Sequence, residues 1–192
     1  MWPFGQKREA SRLAAIPVGE TGAVAVLTTV VSENVVTSPV SGLASALLQV
    51  DLLERVPPGH AGGQDGTLDD DFNRLGRATF GQVLILRDGD GDEISVVGGR
   101  ARFEPSTRTG GNPITKVPPE LVPFLRRATG RGVLCCREST LRTGDRVLLK
   151  AVVQPTLRVV TAGYRSGTNI TYVTRDDLAP VVLVEVVDAP AW

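Results

Sequence analysis

Short runs of alternating apolar and polar residues, separated by Gly/Pro/Asp/Ser clusters, make up most of this chain, and that period of two is the signature of strands. Residues Ala23 to Val31 are rich in β-branched side chains and lie between Gly19/Gly22 and Ser32-Glu33-Asn34, which predicts a strand between turns. The run Leu43 to Val56 carries two patterns. Leu43, Leu47, Leu48 and Leu52 fit a helix, while Leu48, Val50 and Leu52 alternate as on a half-buried strand. A short helical turn after Gly42, then a strand to Val56, is expected. Ala78 to Arg87 and Glu93 to Val97 flank Asp88-Gly89-Asp90-Gly91-Asp92, whose turn chemistry predicts a hairpin. Further strands are expected at Gly132 to Arg137, Arg146 to Val153, Leu157 to Gly163, Asn169 to Thr174 and Val181 to Val187. Pro118-Pro119-Glu120, then Arg126-Arg127 and Gly130, are start and stop signals for one short helix. Pro57 to Leu75 and Ser106 to Thr115 are polar and rich in Gly, Pro or Asp, so they read as long surface loops. Roughly nine strands with one or two helices predict a mainly β fold, a small OB-like or Greek-key β-barrel with long loop insertions. Residues 1–17, with a charged stretch from Gly5 to Leu13, are expected as an N-terminal arm, and 18–192 as a single β-rich domain.

Composition narrows the class of partner. Lys+Arg and Asp+Glu are both 21, so no overall field draws the chain to a polyanion or an acidic membrane. Nucleic acid is therefore not the expected partner. Arg100, Arg102 and Arg108, with Arg126, Arg127 and Arg131, are the clusters that could help such binding, but aromatic residues make up only 5% of the chain. The two cysteines, Cys135 and Cys136, are adjacent; neighbouring residues of a strand point to opposite faces, so a disulfide between them would be strained. A reducing cytoplasm is the expected setting. The N-terminal residues lack the basic, apolar and small-residue order of a secretory leader, and runs such as Val181 to Val187 are far shorter than the ~20 residues that span a bilayer. No membrane insertion is expected.

Candidate chemistry is sparse. Asp88, Asp90 and Asp92 share the alternate spacing that opens a calcium loop, but Glu93 stands where that loop needs glycine and Gly99 where it needs a bidentate carboxylate. A turn is the better reading, with weak cation binding as the alternative. Asp69 to Asp71 reads as a solvated like-charge cluster. Cys135 or Cys136 could be a nucleophile with His60, the lone histidine, yet His60 falls in a Gly-rich loop and Val133-Leu134 predict a core position for the thiols. Gly130-Arg131-Gly132 lacks phosphate-loop spacing, and Asn169-Ile170-Thr171 is a formal glycosylation acceptor. No catalytic residue, cofactor or metal site is assigned.

Three segments in fixed order carry more information. They are Ser38-Pro39-Val40-Ser41-Gly42, then Leu84 to Asp92 with Asp88-Gly89 at its corner, then Glu138-x-x-Leu141-x-x-Gly144-Asp145-x-Val147. In this order they resemble the GIDE domain, the β-rich module found between membrane segments in the ubiquitin ligase family of the mitochondrial outer membrane and in prokaryotic relatives. The resemblance covers about residues 18 to 175. It implies structural roles for Ser38, Pro39, Ser41, Gly42, Asp88, Gly89, Glu138, Leu141, Gly144 and Asp145. Two cysteines and one histidine cannot supply the eight zinc ligands of a RING, so ligase activity is not implied. The resemblance implies a non-catalytic scaffold or sensor that contacts another protein. An OB-type domain binding single-stranded nucleic acid is the alternative.

Overall fold

The computed structural model describes residues 13–55, 72–106, 111–162 and 165–187. Its strands are, in chain order, β1 (Gly22–Val30), β2 (Val36–Thr37), β3 (Ala44–Ser45), β4 (Leu47–Arg55), β5 (Phe72–Phe80), β6 (Val83–Asp88), β7 (Glu93–Val97), β8 (Arg102–Glu104), β9 (Asn112–Pro113), β10 (Val133–Leu141), β11 (Arg146–Ala162), β12 (Arg165–Thr174) and β13 (Val182–Glu185). Five of them close a barrel in the order β1-β6-β7-β12-β11, with β11 returning to β1. The β7–β12 pair is parallel and the other four are antiparallel. Counted within the barrel alone, the strands run first, second, third, fifth, fourth, which is the Greek-key order of an OB-type barrel.

Alternation builds the barrel core. Val24 and Val30 of β1, Leu84 and Leu86 of β6, Ile94 and Val96 of β7 and alternate residues of β11 from Val147 to Val153 all point inward and are buried. Leu13 and Ile16, in the stretch expected to be an arm, are buried in the same core, so the domain begins before residue 18. One edge of β11 is shared. Residues Val147 to Lys150 pair with β13, which carries β8 beside it, and Val153 to Ala162 pair with β12. The two strands expected at Arg146 to Val153 and Leu157 to Gly163 are thus one continuous strand through Pro155. The reason is local: Val152 accepts a hydrogen bond from Arg175 N on the β12 side, so odd-numbered neighbours direct their N–H away from β12. Pro155 lacks an N–H only on the edge that β1 has left, since β1 pairing ends at Gly22 opposite Val153.

The two long crossings of the barrel, residues 31–82 and 98–145, each contribute strands to a second sheet, ordered β5-β4-β10-β9. Its centre is the antiparallel β4–β10 pair, from Leu47 opposite Leu141 to Arg55 opposite Val133. No helical turn follows Gly42; β3 and β4 occupy that stretch, and every residue of β4 except Arg55 is buried. Its two faces diverge. Leu48, Val50 and Leu52 enter a second core with Leu75, Leu121 and Cys136, whereas Leu47 joins the barrel core. Residues Phe72 to Leu75, expected in a loop, are the start of β5, and Asn112–Pro113 of the second expected loop pair with β10; 56–71 and 107–110 lie outside the described residues.

The expected helix is a 3-10 helix, Pro119–Arg127, with Pro123 inside it. Leu121 N bonds Pro118 O and Ala128 N bonds Leu125 O, three residues apart, and Pro123 removes a donor that an α-helix would need. Phe124 lies so close over β5 that a Cβ on Gly76 would fall within its ring. Behind the helix, the buried Glu54 carboxylate accepts from Thr129 N (2.9 Å), Thr129 Oγ1 (3.0 Å) and Gly132 N (3.3 Å). Burial pushes this carboxyl up, but those hydrogen bonds outweigh it and hold the group below the ordinary glutamate value.

The β10–β11 corner turns at Gly144, whose φ is 96°, in the left-handed region. Its N–H bonds Val30 O at 2.8 Å and so fixes the corner to β1. A Gly144→Val variant is expected to lose more than about 1 kcal/mol of stability, because a β-branched side chain strains this backbone although space around it is open. Denaturant unfolding of the variant beside the wild-type chain measures the loss.

Candidate functional site

The first and third motif segments meet. Ser38 Oγ accepts hydrogen bonds from Val40 N and Ser41 N, both at 2.9 Å, and donates its own proton to the Glu138 carboxylate on β10. Ser38 N reaches Leu43 O and Gly42 N reaches Ser38 O, so residues 38–43 form a closed corner pinned to the second sheet. Ser38 is 3% exposed and its oxygen is fully occupied, so the arrangement works as a clasp and offers no accessible nucleophile. Further along, Leu141 fills the barrel core, and Asp145 Oδ2 accepts from Arg142 N at 2.7 Å to close the β10–β11 corner.

The Asp88 segment is a self-contained turn. Asp88 Oδ1 accepts from Asp90 N (3.0 Å) and Asp92 N (2.8 Å). Burial, helped by the charges of Asp88 and Asp90, raises the Asp92 carboxyl above its ordinary value. Among the described residues no three His, Cys, Asp or Glu side chains gather in a metal-holding group. The expected basic clusters are dispersed. Arg100 pairs with Asp176 at 2.8 Å, and Arg127 donates to Leu75 O while its guanidinium lies over Phe124. Arg108, His60 and Asp69 to Asp71 lie outside the described residues.

Both thiols are buried and free. Cys136 packs in the second core, where burial, with the Glu138 charge adding to it, pushes its pKa up to about 11. Cys135 faces the other way, beside Leu53, and burial raises it too.

Two features of the structure concentrate chemistry that the sequence motifs did not contain. The first is a cleft of about 30 Å³ between β8 and the polar face of the second sheet. Three adjacent strands place Arg137, Asp51 and Arg77 in one cross-strand row. Asp51, with its side chain 9% exposed, takes a two-pronged ion pair from Arg77, at 2.6 Å from Nε and 2.9 Å from Nη2, and this bond holds the Arg77 guanidinium above its ordinary pKa. Arg137 is almost wholly buried and lies 5.9 Å from the Phe72 ring centre. Arg74 adds a third guanidinium from the second sheet, and β8 supplies Arg102, whose Nη2 is 3.2 Å from Glu104. Among the described residues, four guanidiniums and two carboxylates thus line the cleft. A sequence signal for it existed: Gln49 and Asp51 are polar at alternate positions within an otherwise apolar run, which marks one polar face on a buried strand.

The second feature is the far end of the β11–β12 hairpin. Beyond Val153 on one side and Tyr172 on the other, these two strands pair only with each other among the described residues. Leu157 and Ile170 stand directly opposite, on the same strand faces as Val153 and Tyr172 of the core, yet they are 56% and 45% exposed.

Comparison with protein-family models, with curated proteins and with solved structures returns no match. The thiols give a direct check on whether this chain carries an activated nucleophile. With Cys136 near 11, about one thiol in a thousand is ionised at pH 8, and its packing excludes reagent as well. Native protein at that pH is expected to consume iodoacetamide at least about a hundredfold more slowly than the same chain in denaturant. Rapid labelling of either cysteine in the native state would indicate an activated thiol.

Proposed function

We propose that this protein is a non-catalytic interaction module that binds another protein, with the β11–β12 hairpin as its recognition element. The observation that carries the reading is the exposed Leu157–Ile170 pair, set on two strands that beyond the barrel pair only with each other among the described residues. Open edges bind by adding a strand, and an apolar cross-strand pair adds burial. Covering the exposed parts of two such side chains yields roughly 1–3 kcal/mol, enough to bias a docking event and too little to hold one alone. The strand edges supply the rest through main-chain hydrogen bonds. The GIDE resemblance supports the same role, since the Ser38 and Glu138 segments serve as a clasp between parts of the scaffold. The adjacent buried thiols suit a reducing compartment, and no helix among the described residues is long and apolar enough to cross a membrane.

The strand order of the barrel favours a second reading, a single-stranded nucleic-acid binder of OB type. The face such proteins use is formed here by β6 and β7, whose outward pairs are Val83 with Val97, Ile85 with Ser95 and Arg87 with Glu93. That face offers no ring for a base to stack on, and its one arginine is paired to Glu93 at 2.7 Å. Protein binding is the better account.

Photo-crosslinking in the native host tests the reading. A photoreactive residue at position 157 or 170 is expected to trap one dominant protein, and the same residue at 85 is not. The double substitution Leu157→Glu/Ile170→Glu is expected to retain the melting temperature and to reduce recovery of that protein at least about tenfold. Absence of any adduct, undiminished recovery with the double variant, or salt-dependent binding of oligonucleotides by the purified chain would overturn it.

A further inference from the structure

The β11–β12 hairpin has two edges, and they are not equivalent. Arg175 N bonds Val152 O, so odd-numbered residues of β12 turn their main-chain groups to β11 and even-numbered ones turn theirs outward. Tyr172 directs its outward groups to β7, opposite Ile94. Past it, Ile170, Thr168 and Ser166 aim three donors and three acceptors at an edge with no neighbour among the described residues. On β11 the outward positions are Pro155, Leu157, Val159 and Thr161, and the first of these beyond the end of β1 has no donor. A proline at the root of an edge blocks addition of a strand there. The β12 edge carries none.

The barrel also fixes where an added strand begins. β7 runs parallel to β12 and starts at Glu93, where the chain comes out of the Asp88–Asp92 turn. A segment lying along β12 past Tyr172 therefore abuts that turn, and the exposed Ile170 is the first outward-bonding residue it meets. Three carboxylates gather at the same place. Burial, then the charges of Asp88 and Asp90, raises the Asp92 carboxyl, so no cation outweighs them. Their field reaches β12, where burial, then Asp92 and Asp88, raises the Tyr172 hydroxyl. Resting on the hairpin as the recognition element, we infer that the partner is an extended segment of another protein that adds to the β12 edge, apolar beside Ile170 and bearing a lysine or arginine at the end that meets the turn.

The protein trapped at position 157 or 170 supplies the probe: a synthetic peptide of its trapped segment, titrated into the purified chain by fluorescence anisotropy. Val159 and Thr168 stand opposite each other, each with its N–H outward, one on either edge. Thr168→Pro is expected to weaken binding at least about tenfold, and Val159→Pro, an equal insult to the hairpin, less than about twofold. The pair Asp90→Asn/Asp92→Asn is expected to weaken it about three- to tenfold in low salt and by less in high salt. Because proline can distort the hairpin, amide exchange of the wild-type chain gives a second readout. The peptide is expected to slow Ser166, Thr168 and Ile170 at least about tenfold and to leave Leu157, Val159 and Thr161 unchanged. No adduct at either position overturns the recognition role of the hairpin and this inference together. A peptide without affinity up to about 1 mM, a trapped segment lacking lysine and arginine, or an adduct with a second copy of this chain overturns the inference alone. So do equal effects of the two prolines, undiminished binding by the asparagine pair, and slowing on the β11 side.

Discussion

Pairing of β4 with β10 is the constraint on which the rest of this structure depends. The two strands come from different crossings of the barrel, and their union over Leu47 to Arg55 ties both crossings into one sheet. Without it, two long segments would hang from a five-stranded barrel, each with apolar side chains to hide. With it, the odd-numbered face of β4 closes the barrel core through Leu47, and the even-numbered face builds a second core under the 3-10 helix. The Ser38 clasp on Glu138 fastens the middle of the same pair, and the Glu54 contacts to Thr129 and Gly132 fasten its Arg55 end.

The same pairing sets the cost and the use of the polar face. Asp51 lies between Arg137 and Arg77 only because the β4–β10 and β4–β5 registers align them, with the irregularity at Leu52/Leu53 falling one residue beyond. Buried ion pairs contribute little net stability against well-packed apolar residues, since desolvation offsets much of the attraction. A charged row at the junction of two structural parts therefore points to specificity or binding more than to stability. The hairpin poses the complementary case, apolar side chains left in water where the barrel that shields their neighbours has ended.

Much of the barrel was legible in the sequence. β-branched alternation gave β1, the Asp88 to Asp92 turn gave the β6–β7 hairpin, and Gly144-Asp145 gave the β10–β11 corner at positive φ. These signals are local, and local chemistry decides them. What could not be read depends on distant partners. The fully buried β4 pattern is ambiguous until its two neighbours are known, because a strand covered on both faces loses its alternation. Pro155 reads as a strand break unless the side on which its missing donor falls is known. The start of β5 at Phe72 adjoins a polar stretch that masked it. The cleft arises from register between strands far apart in the chain, so no motif records it, although Gln49 and Asp51 marked one of its faces.

Native-state hydrogen exchange tests the central claim most directly. If the β4–β10 pair makes barrel and insertions one cooperative unit, amides of Leu52 and Cys136 should open with the same free energy, and the same denaturant slope, as those of Val26 and Leu149 in the barrel. Exchange of the second-sheet amides through a distinctly smaller opening, with a shallower slope while the barrel stays protected, would contradict it.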